Sequence, residues 1–424
     1  MKPADPLPPD GTQLLRELEE LVATKEPRDR WIRWIDWVLI RDATTPLLMS
    51  TAGLILTGVL FDWVQHWQAF TTLTELFILV PIVFSVKGNI ELSLGSRLST
   101  AANLGHFDGR TARKELLRFN LALIIFQSLL CGFIVGLGGC VLGLLVHRGR
   151  NGLVEDLIIV TASVVTCGAS SFITCGMLAG IIWIAHKWDL ADPDNVASPI
   201  AASLGDFSTL TILSVSAHVL LMFRSLPLLI TILSILGAAF AVSFYFVKKD
   251  AQGWSVIVGS MPPLLFSFAL TSISGLILER YTLALPGLVF LLPVTSGICN
   301  NFSAIYASRL STNLIDPECD AITVRNRRTI LTMTVMNVTV QGGLLAFIGV
   351  FGVAHFRVDG ALVGVCVGTS TTCLLAVLGL VRPLAKWLHA HNFDLHSYSI
   401  PLLAALGDLL GALLLIVFML ILLH

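Results

Sequence analysis

Asp206 and Asp408 are the residues of this chain whose type and spacing point most directly to chemistry. Each aspartate lies seven residues after a proline, Pro199 or Pro401, within a long apolar stretch. Seven helical residues place a carboxylate ~10 Å along the helix axis, and an ionisable side chain that deep in a membrane span indicates a functional site. Two facing carboxylates repel unless a proton or a cation lies between them, so the pair predicts a cation site.

The ligand types around the two aspartates bear on which ion they would hold. No His or Cys lies within a helical turn of either acid, whereas backbone carbonyls and small hydroxyl residues lie nearby. Hard oxygen ligands with few carboxylates suit Mg²⁺, which keeps most of its waters, although Na⁺ and protons can use the same oxygens. A structural alternative is that Ser203 or Thr209 donates a hydrogen bond to Asp206, so that the acid only holds helices together.

The composition identifies the elements that must position these acids. Of the 424 residues, 55% are hydrophobic and only 13% are charged, whereas soluble globular proteins carry roughly 25% charged residues. The apolar runs are long enough to cross a bilayer as helices, and we predict an all-α polytopic membrane protein in the lipid bilayer with about 11 spans. The spans are expected near residues 44–61, 73–98, 119–146, 157–185, 199–222, 226–247, 255–278, 283–310, 329–352, 360–381 and 401–423.

The same composition argues against several other classes of protein. The net charge of -1 provides no basic excess for binding nucleic acid. The eight cysteines lie mainly in apolar runs and form no CxxC pair, which is typical of buried small residues rather than disulfides or zinc ligands. Neither HExxH nor GxSxG occurs, so a polytopic membrane enzyme is only a remote alternative.

The distribution of Lys and Arg between the spans predicts the orientation of the chain. With a cytoplasmic N-terminus, 21 of these residues lie in inside segments and 5 in outside segments, and Lys87 is left within a span. Because positive charge accumulates on the cytoplasmic side, we expect the N-terminus inside and the C-terminus outside. The plasma membrane is favoured over an organellar one.

The chain contains an internal repeat. One repeated motif, at residues 81–100, consists of a Pro, an Asn and the run Ser-Arg-Leu-Ser-Thr, and it recurs 212 residues later. A second motif, at residues 199–206, recurs 202 residues later at residues 401–408. Each half has an odd number of spans, so the linking span returns the second half to the orientation of the first. The expected domains are a leader (1–43), a first repeat (44–222), a linking helix (223–254) and a second repeat (255–424).

The second span of each half combines proline, glycine and polar residues. We interpret Pro81 and Pro293 as the start of interruptions that line a substrate path, although kinks for close helix packing are the alternative. Glu91 either attracts cations at the inner mouth or pairs with Lys87 four residues earlier, and Lys87 is a candidate gating residue. The expected path-lining residues are Gly88, Asn89, Glu91, Asn300 and Asn301, together with Ser203 and Thr209 of the fifth span.

The leader has an amphipathic pattern. Leu14, Leu18 and Leu21 share a helical face, and tryptophans recur every three residues from Trp31 to Trp37. This pattern predicts an interfacial helix with its tryptophans at headgroup depth. A cytoplasmic gate that senses Mg²⁺ through the acidic residues of the leader is the alternative.

Two stretches resemble solute carrier family 41, whose carriers are internally duplicated relatives of the bacterial MgtE magnesium channels. They are residues 78–103, with Val-Lys-Gly-Asn and Ser-Arg-Leu-Ser-Thr-Ala-Ala-Asn, and residues 192–206, from Asp-Pro-Asp-Asn-Val to Leu-Gly-Asp. The resemblance covers roughly residues 44–424 and implies two five-helix halves that bind hydrated Mg²⁺ on their common axis. It also implies the ligands, which are Asp206 and Asp408 with the backbone carbonyls of Ala202 and Ala404.

The second half departs from the family pattern. Asn300-Asn301 stands where such families usually show Gly-Gly-Asn, and Cys299 occupies the position of Lys87. A symmetric pore is therefore not expected. The leading hypothesis is a Mg²⁺ carrier that works as a single-chain pseudo-dimer and exchanges Mg²⁺ for Na⁺, as the resemblance implies; an uncoupled channel for Mg²⁺ or other divalent cations is the alternative.

Overall fold

The protein is a bundle of long helices in its computed structural model. The model describes residues 35–105, 107, 109–147, 152–188, 193–285, 287–314, 322–356, 358–391 and 395–423. Within these ranges there are twelve helices and no strand, and 11 of the helices are long and apolar enough to cross a membrane. The predicted fold class is confirmed, whereas the leader helix predicted before residue 35 lies outside the described residues.

The helices follow the chain in two sets of five spans, with one span between the sets. Their bounds are α1 Trp37–Val64, α2 Gln68–Thr72, α3 Glu75–Asn103, α4 Arg110–His147, α5 Leu153–Trp188, α6 Pro193–Phe223, α7 Leu226–Lys249, α8 Ala251–Tyr281, α9 Leu288–Leu314, α10 Ile322–Phe351, α11 Gly360–Ala390 and α12 Leu395–Leu423. The short α2 is the helix that does not cross the membrane. Asp206 lies on α6 and Asp408 on α12.

The proline-containing helices α3 and α9 are continuous, so the predicted interruption of the second spans is wrong. Pro81 lies within the helix Glu75–Asn103 and Pro293 within Leu288–Leu314. A proline removes one helical hydrogen bond, and membrane helices tolerate this loss because neighbouring groups satisfy the freed carbonyl. Both prolines nevertheless face a cavity in the bundle.

The two halves interlock through their first spans. α1 packs against α6 of its own half and α9 of the other half, and α8 makes the equivalent contacts with α12 and α3. This exchange gives the bundle a pseudo-two-fold pattern of contacts. Among the described residues, the linking helix α7 has its main contacts with α4, α5 and α8, and only 11% of its most apolar stretch is buried, so this helix lies on the outside of the bundle.

Glycines let the exchanged spans approach closely. A Cβ placed on Gly58 of α1 would lie 3.0 Å from the Val294 side chain of α9, and one placed on Gly275 of α8 would meet the backbone of Ile78 in α3. The two glycines are therefore equivalent contacts of the two halves. Small residues at such contacts are the common means of helix association in membranes.

Candidate functional site

A cavity of about 270 Å³ lies between the two halves. It is lined by residues of α1, α3, α6, α8, α9 and α12, and both Asp206 and Asp408 belong to its wall. The remaining wall is mainly apolar, with a few amide and hydroxyl side chains. The fold therefore brings the two duplicated carboxylates to one cavity, as the repeat predicts.

Asp408 is held by a neutral neighbour. The Asn300 amide nitrogen donates a hydrogen bond of 2.8 Å to Asp408 Oδ1, and because a carboxylate only accepts, this contact fixes which way the amide points. The amide oxygen of the same side chain, Asn300 Oδ1, is buried and receives no hydrogen bond from the described residues. It packs against Gly407, where an added Cβ would collide with it.

Asp206 has charged neighbours instead. Lys87 and Glu91 form a buried ion pair, and both side chains, together with Asp408, interact electrostatically with Asp206. Lys87 Nζ also lies 3.4 Å from the carbonyl oxygen of Gly205. A Cβ on Gly205 would be 2.6 Å from Glu91 Oε2, so a glycine precedes each aspartate and a polar side chain packs on it.

Two asparagines of the cavity wall connect the halves. Asn89 of α3 donates a hydrogen bond of 2.9 Å to the Ser267 hydroxyl of α8. Asn301 of α9 donates one of 2.7 Å to the Ser50 hydroxyl of α1. Each amide therefore bonds to the first span of the other half, and these equivalent bonds position the walls of the cavity.

Sequence reasoning missed Ser50 and Ser267, although a signal for them exists. Pro-Leu-Leu-Met-Ser at residues 46–50 recurs 217 residues later as Pro-Leu-Leu-Phe-Ser at residues 263–267. This third repeated motif places both serines at the same point of the first spans. A comparison of the first spans alone would have identified them.

The other predicted site residues fall into three groups. Gly88 and Ala404 line the cavity with the two acids and the asparagines 89, 300 and 301, whereas the buried pair Lys87 and Glu91 lies outside its lining. Thr209 is also buried, and its hydroxyl donates to the Gly205 carbonyl at 2.6 Å rather than to Asp206. Ala202 and Ser203 are outside the residues whose side chains the structure describes.

Few of the described side chains around the cavity could coordinate a metal ion directly. Among the described residues, no group of three or more His, Cys, Asp or Glu side chains is placed to hold a metal ion. A dehydrated transition metal needs such a cluster, whereas a hydrated ion needs only one or two carboxylates and acceptors for its waters. The cavity provides the two acids and the amide side chains of Asn89 and Asn301.

Comparison with known proteins agrees with this chemistry. A family model described as MgtE, divalent cation transporter, matches residues 80–216 and 292–418. Solute carrier family 41 member 2 of Gallus gallus is 33% identical over 88% of this chain and 68% of its own length. The Homo sapiens member 2 is also 33% identical, over 87% of this chain and 68% of its own length. Solute carrier family 41 member 3 of Rattus norvegicus is 29% identical over 86% of this chain and 83% of its own length. No solved structure matches the chain.

Proposed function

The chain belongs to the MgtE family of divalent cation transporters, and from this premise we propose that it moves hydrated Mg²⁺ between Asp206 and Asp408. Transport of divalent cations follows from the family, and members of solute carrier family 41 are among the relatives. This membership excludes the membrane enzyme that the sequence left as a remote alternative. The site and the path are proposed from the cavity.

The observation that supports the site best is the common cavity of the two acids. Asp206 and Asp408 lie at equivalent positions of the repeat, and both line the cavity between the halves. Like charges that share a poorly solvated space repel, and a divalent cation between them relieves the repulsion. A divalent cation bound between the two residues would therefore explain why both halves have an acid at this position.

The size of the cavity suits an ion with its water shell. A water molecule occupies about 30 Å³ in the liquid, so the six waters of a hydrated Mg²⁺ need ~180 Å³. The cavity offers about 270 Å³. The total volume is therefore sufficient for the ion with its six inner waters, which Mg²⁺ releases reluctantly.

The polar groups of the wall are placed to bind those waters. Asn300 holds Asp408 through its amide nitrogen, and its Oδ1 is buried against Gly407, so the other two asparagines are the candidates to accept hydrogen bonds from waters of the ion. Asn89 and Asn301 keep their carbonyl oxygens for this purpose, since their nitrogens donate to serines. Ala404, one turn before Asp408, completes this part of the wall.

We propose the topology and the domain limits from the sequence. The N-terminus is cytoplasmic and the C-terminus is outside, with repeats at 44–222 and 255–424 and the linking helix between them. A single cysteine introduced at Gly352, in the turn after α10, tests the orientation. A membrane-impermeant maleimide should label it from outside in intact cells, and labelling only after permeabilisation would reverse the topology.

We propose that Mg²⁺ moves in exchange for Na⁺, since the same oxygen ligands can bind either ion. The test is Mg²⁺ flux in proteoliposomes with and without an opposing Na⁺ gradient. Exchange predicts that flux falls when the gradient is removed. Flux that stays unchanged would support the alternative, an uncoupled Mg²⁺ channel.

The proposed site is tested by removing one charge at a time. Asp206→Asn and Asp408→Asn should each reduce Mg²⁺ flux at sub-saturating Mg²⁺ by roughly tenfold or more, because each removes a charge next to the ion. Asp156→Asn is the matched control, since Asp156 lies in the first turn of α5 and not in the cavity wall. Wild-type flux in both test variants, with normal amounts in the membrane, would place the site elsewhere.

A further inference from the structure

We propose that the Lys87–Glu91 ion pair is a specificity determinant of the cation site, although neither residue lines the cavity. The pair keeps the formal charge around Asp206 and Asp408 at the value that one divalent cation neutralises. This inference rests on the proposed function. It assigns a role in ion selection to a lysine that would otherwise be unexpected within a membrane span.

Lys87 is placed where an ammonium needs a partner. It lies twelve residues after the start of α3, ~18 Å along the helix axis, and its side chain is only 3% exposed. A charge at such a position is expensive unless it is paired. Its partner is Glu91, which is 4% exposed and one helical turn further along.

The pair is connected to Asp206 through the backbone. Lys87 Nζ lies 3.4 Å from the Gly205 carbonyl oxygen and 3.4 Å from Thr174 Oγ1. The carboxylate of Glu91 packs on Gly205, the residue before Asp206. A change in the charge of either partner therefore acts on the site at short range, through poorly solvated protein.

The formal charges of this cluster suit a divalent ion. With their carboxylates ionised around a bound cation, Asp206, Asp408 and Glu91 contribute three negative charges and Lys87 one positive charge. Two negative charges remain, which equal the charge of one Mg²⁺ in magnitude. Loss of Glu91 alone leaves one negative charge, which neutralises only half the charge of a divalent ion.

The second half lacks the pair. Cys299 stands at the position equivalent to Lys87, and Ser303 at the position equivalent to Glu91. Asp408 instead accepts a hydrogen bond from the uncharged Asn300. The charge balance of the whole site is therefore adjusted from the first half only, and variants of one pair are sufficient to test it.

A purely structural role makes a different prediction. Lys87 also connects α3 to α5 and α6 through Thr174 and Gly205, so the pair could serve only to hold these helices. Neutralising Glu91 alone would then leave Lys87 buried without its partner, which lowers the unfolding temperature and the amount of folded protein but not the Mg²⁺ concentration for half-maximal flux. If net charge is what matters, neutralising both restores the balance that neutralising one removes.

The experiment measures the Mg²⁺ concentration for half-maximal flux in proteoliposomes. Glu91→Gln should raise it roughly tenfold or more, and should allow K⁺ to compete with Mg²⁺. The double variant Lys87→Met/Glu91→Gln should return it to within about twofold of the wild type. The exchanged pair Lys87→Glu/Glu91→Lys keeps the net charge and should behave in the same way.

The controls separate this proposal from folding and from the site itself. Glu155→Gln breaks the ion pair with Arg224, which lies away from the cavity, and should leave the half-maximal concentration unchanged. The proposal is overturned if Glu91→Gln has no effect, or if neither charge-balanced variant restores transport while both unfold at the wild-type temperature. Asp206→Asn and Asp408→Asn, measured in the same vesicles, report separately on the proposed site.

Discussion

A methyl group added at Gly407 should disturb the cation site without touching any charged residue. The Cβ of Gly407→Ala would occupy the space of Asn300 Oδ1, so the amide must move away. The hydrogen bond of 2.8 Å from Asn300 to Asp408 is then lost. The variant therefore tests whether this amide holds Asp408 in position.

The size of the effect follows from the bond that is lost. A hydrogen bond to a charged group contributes about 1.5–3 kcal/mol, which corresponds to a roughly tenfold to hundredfold change in an equilibrium constant. We expect the Mg²⁺ concentration for half-maximal flux to rise by that factor in Gly407→Ala. The assay is Mg²⁺ uptake into proteoliposomes with purified protein at a series of Mg²⁺ concentrations.

Matched variants show whether the collision is the cause. Gly368→Ala adds the same methyl group to α11 of the same half, where nothing lies within 4 Å, and should leave transport unchanged. Asn300→Ala should weaken transport as much as Gly407→Ala. The double variant should be no worse than either single variant, because both changes remove the same hydrogen bond, the one from Asn300 to Asp408. Additive effects, or wild-type transport in Gly407→Ala, would refute this reasoning.

Two further predictions concern the contacts between the halves. Ser267→Ala removes the acceptor of the Asn89 amide, so it should lower stability by about 1 kcal/mol and the apparent Tm by about 2 °C, as measured by thermal unfolding in detergent. Gly275→Ala places a methyl group against the backbone of Ile78 and should lower stability by about 1–3 kcal/mol. Gly259→Ala on the same helix has open space, and equal stability of the two variants would contradict the packing described.

The number of spans and the two acidic residues of the candidate site could be predicted from the sequence. Long apolar runs determine membrane helices almost by themselves, and the structure has 11 such helices. Asp206 and Asp408 stand out because a carboxylate in an apolar run is rare and this one is duplicated. Their place in one cavity follows from the repeat, since equivalent helices of the two halves face each other.

The contacts between the halves required the structure. Hydropathy does not show that α1 packs on α9 and α8 on α3, because lipid-facing and protein-facing apolar residues look alike in a sequence. The proline, glycine and polar residues of the second span suggested a break after Pro81, whereas the helix continues to Asn103. The pairing of Glu91 with Lys87 was one of two interpretations of Glu91, the other being attraction of cations at the inner mouth. The structure shows that the pair is buried and that Glu91 packs against Gly205.

The central claim is that the cavity between the halves holds the transported ion. An experimental structure determined in high Mg²⁺, compared with one determined after Mg²⁺ removal, tests it most directly. We expect Mg²⁺-dependent density between Asp206 and Asp408, separated from both carboxylates by water. Mg²⁺-dependent density at another position, with none between the two acids, would contradict it.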